Sequence, residues 1–142
     1  DYYYPTAVGE KDNYFVFKNR ETGHYVEAVA TIMPQKLPVY LLLSSYIFGA
    51  DKRPSGNQAF SSYMEIGYIH QFKGDNSMTV LVGAEINKGF YTSYEKKISV
   101  CNVAAKYVTS VSFGKYKLPV SASLVFNPYK EKAYFTFSAY LR

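Results

Sequence analysis

The residues best suited to polar chemistry are Glu27, Glu65 and Glu85, one on each of three strand-like segments, with Asn102 and Lys106 together on another. Each lies on the less apolar side of its segment. If those sides face one interior, three carboxylates, an amide and an ammonium form a network that either seals it or lines a polar route. Narrow barrels are filled by side chains, which favours the seal.

Other chemistries find less support. The two histidines, His24 and His70, fall near opposite ends of their segments, and a shared metal site would also need cysteine or carboxylate partners beside them. Hydroxyls abound at Ser44, Ser45, Ser61, Ser62, Ser121 and Ser123, but no nucleophile elbow or triad spacing selects one. The glycines lack phosphate-cradling spacing. The single cysteine, Cys101, sits in an apolar segment and reads as a small buried hydrophobe. The expectation is a non-enzymatic protein with neither metal nor other cofactor.

The elements that must position the polar residues are strands. From residue 24 onward, seven stretches rich in Val, Ile, Tyr, Phe and Thr, at about 24–33, 38–48, 60–72, 78–90, 97–113, 119–127 and 133–141, are separated by turn chemistry. Most are longer than the usual strand of about 5–6 residues and match the roughly 9–11 that a tilted strand needs to cross a bilayer. Alternation divides them into faces. Met78, Val80, Val82, Ala84 and Ile86 oppose Thr79, Leu81, Gly83, Glu85 and Asn87; Ala133, Phe135, Phe137, Ala139 and Leu141 oppose Tyr134, Thr136, Ser138 and Tyr140. Sandwiches show water a face full of Lys, Glu and Gln, whereas here the second face carries small and hydroxylated residues with an isolated carboxylate. That pattern suits a barrel with lipid outside and a crowded polar lumen.

The connections alternate too. The short turns around "MPQKL", "KGDNS" and "GKYKL" intersperse with "GADKRPSGNQA", "FYTSYEKK" and "NPYKEK", as in outer-membrane barrels whose periplasmic turns are short. Lys-Leu-Pro-Val occurs at 36–39 and again at 117–120, four strands apart, and reads as a device that starts a strand, since proline is tolerated at a strand's first residue. Seven strands leave an odd count where bacterial single-chain barrels have even ones. An eighth is expected upstream, either in "NYFVFKNR" or at "DYYYP", which looks like the cut end of a strand. The organisation expected is one antiparallel up-and-down β-barrel domain over 1–142 that lacks upstream strands, with 1–23 a loop or the remnant of one.

Composition agrees. The chain holds 16 Tyr and 10 Phe but no Trp, with a net charge of +5. Its basic residues lie mostly in connections rather than along a groove-reading element, which argues against nucleic acid. Tyr46, Tyr91, Tyr94, Tyr129 and Tyr134 concentrate near strand ends, as an interfacial aromatic belt would; carbohydrate stacking is the rival use. No apolar run approaches the roughly 20 residues of a membrane helix, and no secretory leader is visible, so one is expected to have been removed or to lie upstream.

A family resemblance rests on "LPVYLLLSSYIFGAD", "QAFSSYMEIGYIHQF", "MTVLVGAEINKGFY" and "LPVSASLVFNPYKEKAYFTFSAYL". In this order they resemble the TorF-like porins of Gram-negative outer membranes, most closely at Gly49 to Asp51, at Ser62 to Glu65, and at Asn127-Pro128 followed by Ala133 to Phe135. The resemblance spans His24 to Leu141 and implies a transmembrane β-barrel of the cell outer membrane with further strands before this region. The chain departs from it in ending Tyr140-Leu141-Arg142 rather than on an aromatic residue, and in having no Trp. Outer-membrane lipid is then the principal partner, with other envelope proteins as further ones. The competing expectations are a secreted soluble β-barrel holding an apolar small molecule, and an accessory subunit of a larger outer-membrane complex.

Overall fold

The protein is all-β. The computed structural model describes residues 1–4, 14–19 and 21–140, so Leu141 and Arg142, used above for the last strand and the terminus, lie outside the described residues. Eight strands follow in chain order: β1 (Tyr2–Tyr3), β2 (Tyr25–Ile32), β3 (Val39–Gly49), β4 (Ser62–Gln71), β5 (Ser77–Glu85), β6 (Ser99–Phe113), β7 (Tyr116–Asn127) and β8 (Lys132–Ala139). Each pairs with its sequence neighbour, giving one antiparallel meander in the order β1 to β8. A single 3₁₀ turn, Phe90–Thr92, is the only helical element among the described residues.

The eighth strand is the "DYYYP" segment. Tyr2 pairs with Val26 and Tyr3 with Tyr25, while Tyr14 to Asn19 of the other candidate form turn and bend. The two KLPV copies differ in use. Pro38 immediately precedes β3, whereas Pro119 lies inside β7, opposite Ser110 of β6. Its carbonyl accepts the Tyr140 N–H at 2.9 Å, so the donor that proline lacks falls on the β8 side, at the outermost described rung of that ladder, and the β6 ladder stays whole. The β7–β8 connection is only Pro128 to Glu131, so the short-long alternation of connections holds for the earlier strands and not for this one.

Register sorts β6 to β8 into faces. Ala105, Leu124 and Phe135 share one side, as do Tyr107, Ala122 and Phe137; Lys106, Ser123 and Thr136 share the other, with Ser121 and Ser138. The apolar side is the exposed one. Phe135 and Phe137 are 68% and 66% exposed, and Leu124, Phe126 and Tyr107 are exposed too. β5 repeats this, with Met78, Val80 and Val82 exposed while Gly83 and Glu85 are buried, as does β4, where Met64, Ile66 and Tyr68 are exposed around a buried Gly67. In β2 the faces are less distinct, since Ala28 to Ile32 are all exposed.

The chain divides into two compact units. The first comprises Asp1–Thr31, Leu42–Met64 and Ala84–Ser99; the second comprises Ile32–Leu41, Glu65–Gly83 and Val100–Arg142. Within the first, the most deeply buried large side chains are polar: His24, Asp51, Glu85 and Thr92. Within the second, the buried residues include Cys101, Ala104, Val120 and Ser121, all small or medium-sized.

Candidate functional site

The first unit is organised around two dry carboxylates. β3 ends at Gly49, whose φ of +112° and whose closeness to the His24 carbonyl leave no room for a Cβ; that carbonyl accepts the Ala50 N–H at 2.9 Å. The chain then turns inward at Asp51. Its carboxylate accepts the Ser61 N–H at 2.7 Å, the Ser61 hydroxyl at 2.6 Å and, more distantly, the Tyr94 hydroxyl at 3.4 Å. Ser61 in turn accepts the Phe90 N–H at 2.8 Å, which ties the β3–β4 connection to the 3₁₀ turn of the β5–β6 connection. Burial, reinforced by the negative charge of Asp51, pushes the Tyr94 phenol up to about 12.

Glu85, at the end of β5, completes this clasp. Its two oxygens accept the Tyr91 N–H at 3.0 Å and the Thr92 N–H at 2.7 Å, so a fully buried carboxylate is met by backbone donors that the short turn could not satisfy itself. Gly89 passes so close to Glu85 and Ser61 that any side chain would overlap both. Asn87 bridges in the same way, accepting the Ser62 N–H at 2.9 Å and donating to the Phe60 carbonyl at 2.6 Å. Phe60 sits at φ +52°, a conformation costing a non-glycine residue about 1–2 kcal/mol. Its carbonyl, bonded also by the Ser62 hydroxyl at 2.7 Å, helps hold it there.

His24 belongs to this unit too. It is almost wholly buried, stacked on Phe17 with ring centroids 4.7 Å apart, with one ring nitrogen donating to the Tyr14 carbonyl at 2.6 Å and the other bonded to the Tyr2 hydroxyl. Glu27 accepts the Tyr3 hydroxyl at 3.1 Å.

The second unit brings Glu65 and Asn102 together. Glu65 accepts the Tyr40 hydroxyl at 2.6 Å on one oxygen and the Asn102 amide at 3.3 Å on the other. The Tyr40 ring lies flush on Gly67, where a Cβ would overlap it. Lys106 faces Tyr140, whose hydroxyl is 3.5 Å from Ser121 Oγ. His70 packs against Phe72. Among the described residues no three His, Cys, Asp or Glu side chains are grouped to hold a metal ion.

The five polar residues singled out from the sequence are thus distributed. Glu65 and Asn102 bond directly, Glu27 meets a tyrosine, Glu85 fastens a connection, and Lys106 lies near a phenol. Tyr40, Asp51, Ser61 and Asn87 were not singled out as network members. A glycine inside a strand does mark close approach, and that is the one signal in the sequence for Tyr40 over Gly67. The belt tyrosines divide as well. Tyr46 packs on Tyr25, Tyr91 on Tyr63, and Tyr94 reaches Asp51. Tyr129 is half-buried in the β7–β8 connection, and Tyr134 is exposed but shares its side of β8 with Thr136 and Ser138.

No family model matches the chain, and neither the curated proteins nor the solved structures searched contain a match.

Proposed function

We propose that this chain forms wall strands of a transmembrane β-barrel and acts without catalysis, as a porin-like channel or a structural protein of the outer membrane. The observation that carries this reading is the reversal of burial. Ile66 of β4, Val80 and Val82 of β5, and Phe135 and Phe137 of β8 are exposed, while Asp51, Glu85, Thr92 and Ser61 are buried. Water makes that arrangement unfavourable, because each Val, Leu, Ile or Phe side chain left exposed forgoes about 1.5–3 kcal/mol. A bilayer removes the penalty and demands satisfied backbone ladders, which a meander of paired strands supplies once its edges are closed. The resemblance to TorF-like porins points the same way.

A soluble barrel enclosing an apolar ligand calls for the opposite orientation of β4, β5 and β8. The test is the gel mobility of the natural protein extracted in detergent, with and without boiling. A compact band that shifts on heating supports a closed, detergent-stable barrel, and single-channel conductance of that species then separates a channel from a structural wall. Extraction without detergent and a band that heating does not shift would sink the membrane reading.

A further inference from the structure

Four aromatic residues of the first unit line a depression of about 240 Å³: Tyr3, Tyr25, Tyr46 and Phe90. Their placement follows from the strands. Tyr3 and Tyr25 are direct cross-strand partners, β3 brings Tyr46 to 5.3 Å from Tyr25, and the 3₁₀ turn adds Phe90, 6.4 Å from Tyr25 and 6.5 Å from Tyr46. The ring planes of Tyr25, Tyr46 and Phe90 meet at 57°, 73° and 81°, so these three rings do not form one flat platform. The Phe90 backbone N–H donates to Ser61 Oγ, and both Tyr3 and Phe90 remain open to solvent.

We propose that these rings form an aromatic cage for a quaternary or methylated ammonium group, with the Glu27 carboxylate supplying the countercharge. Faces of several aromatic rings turned on one point attract a cation through their quadrupoles, most effectively where it sheds water. The Glu27 carboxylate lies 3.1 Å from the hydroxyl of Tyr3, one of the lining residues, and neither Lys nor Arg lines the depression. The volume falls below the roughly 300 Å³ at which drug-sized pockets begin, which suits a head group more than a whole molecule. A sugar would be better served by a flat ring face edged with paired donors and acceptors than by rings inclined at these angles. The inference rests on the geometry of the first unit alone, independently of the membrane reading.

The test compares two probes of the same shape and different charge. Choline and its neutral isostere 3,3-dimethylbutan-1-ol are each titrated into the folded natural protein in a polyoxyethylene detergent, which carries no choline head group, and followed by tyrosine emission and by saturation transfer to the probe methyl groups. The expected result is saturable choline binding, with the isostere weaker by about tenfold or more. Phe90→Leu and Glu27→Gln are each expected to weaken choline by about threefold or more. Equal binding of the two probes, no saturation by choline, or binding of maltose in place of choline would overturn the proposal. The probe comparison uses unsubstituted protein, so it decides the question even if a variant fails to fold.

Discussion

The two units bury opposite kinds of residue. The first closes over His24, Asp51, Glu85 and Thr92, and its long connections are ordered by charge-assisted bonds to backbone N–H groups. Among the described residues of the second, the buried ones, such as Ala104 and Val120, are small or medium-sized, while Phe135 and Phe137 are exposed; its order comes from the β6–β7–β8 ladders. The comparison teaches where each is fragile. A clasp of satisfied polar groups fails when one acceptor is removed, because the donors left behind cannot recover water. A ladder with an apolar outer side tolerates small changes at its turns and fails when that side receives a charge in lipid.

The largest effect is expected in the clasp. Glu85→Ala leaves the Tyr91 and Thr92 amides without their acceptor and should cost about 3 kcal/mol or more, read as accelerated hydrogen exchange of those two amides and new protease cleavage between Ile86 and Ile98. If both amides keep their protection, the clasp account is wrong. Next comes the outer side of the second unit. Val82→Arg should cost about 2–4 kcal/mol in lipid if the residue lies near the bilayer midplane, and a change within about 0.5 kcal/mol would contradict a lipid-facing position.

A smaller, pH-dependent effect is expected at Tyr94. Its phenol is raised from its ordinary value near 10 to about 12, so the contact with Asp51 contributes fully below pH 10 and is lost as pH rises from 10 to 12. Protection of the β5–β6 connection should fall over that window, and Tyr94→Phe should remove that component of the fall while the other tyrosines still titrate. The smallest effect belongs to the surface pair between Lys117 and Asp75, 2.7 Å apart and well exposed. Lys117→Ala should shift unfolding by less than about 1 kcal/mol, and less still in high salt. A larger loss would mean that the turn end of the sheet depends on this pair more than its ladders imply.

How much of this could be read in advance follows from what each feature depends on. Period-two alternation depends only on neighbours in sequence, so the two sides of β5 and β8 were legible in the runs Met78 to Asn87 and Ala133 to Tyr140. The two-residue β1 was hardly legible, because a strand that short has no period of its own. Glu65 with Asn102 was legible as two polar residues on inner sides, whereas Tyr40 owes its place to the space over Gly67. The clasp was the least legible part. Asp51 read as an ordinary polar residue of a long connection, and Ser61 and Asn87 as members of the strand-like segments 60–72 and 78–90; only the ending of those strands at 62 and 85 and the folding back of the connections gives the carboxylates their backbone donors. For the same reason the partners of Tyr46, Tyr91 and Tyr94 were not legible, since nearness to a strand end does not say which side a ring takes.

The central claim is that the exposed apolar side meets lipid, and the absence of Trp makes it directly testable. A single tryptophan is introduced by Val82→Trp, and in a second protein by Leu81→Trp on the opposite side of β5, each refolded into vesicles whose acyl chains carry bromine. The account predicts strong quenching at 82 and little at 81. Equal quenching at both positions, or none at 82, would contradict it.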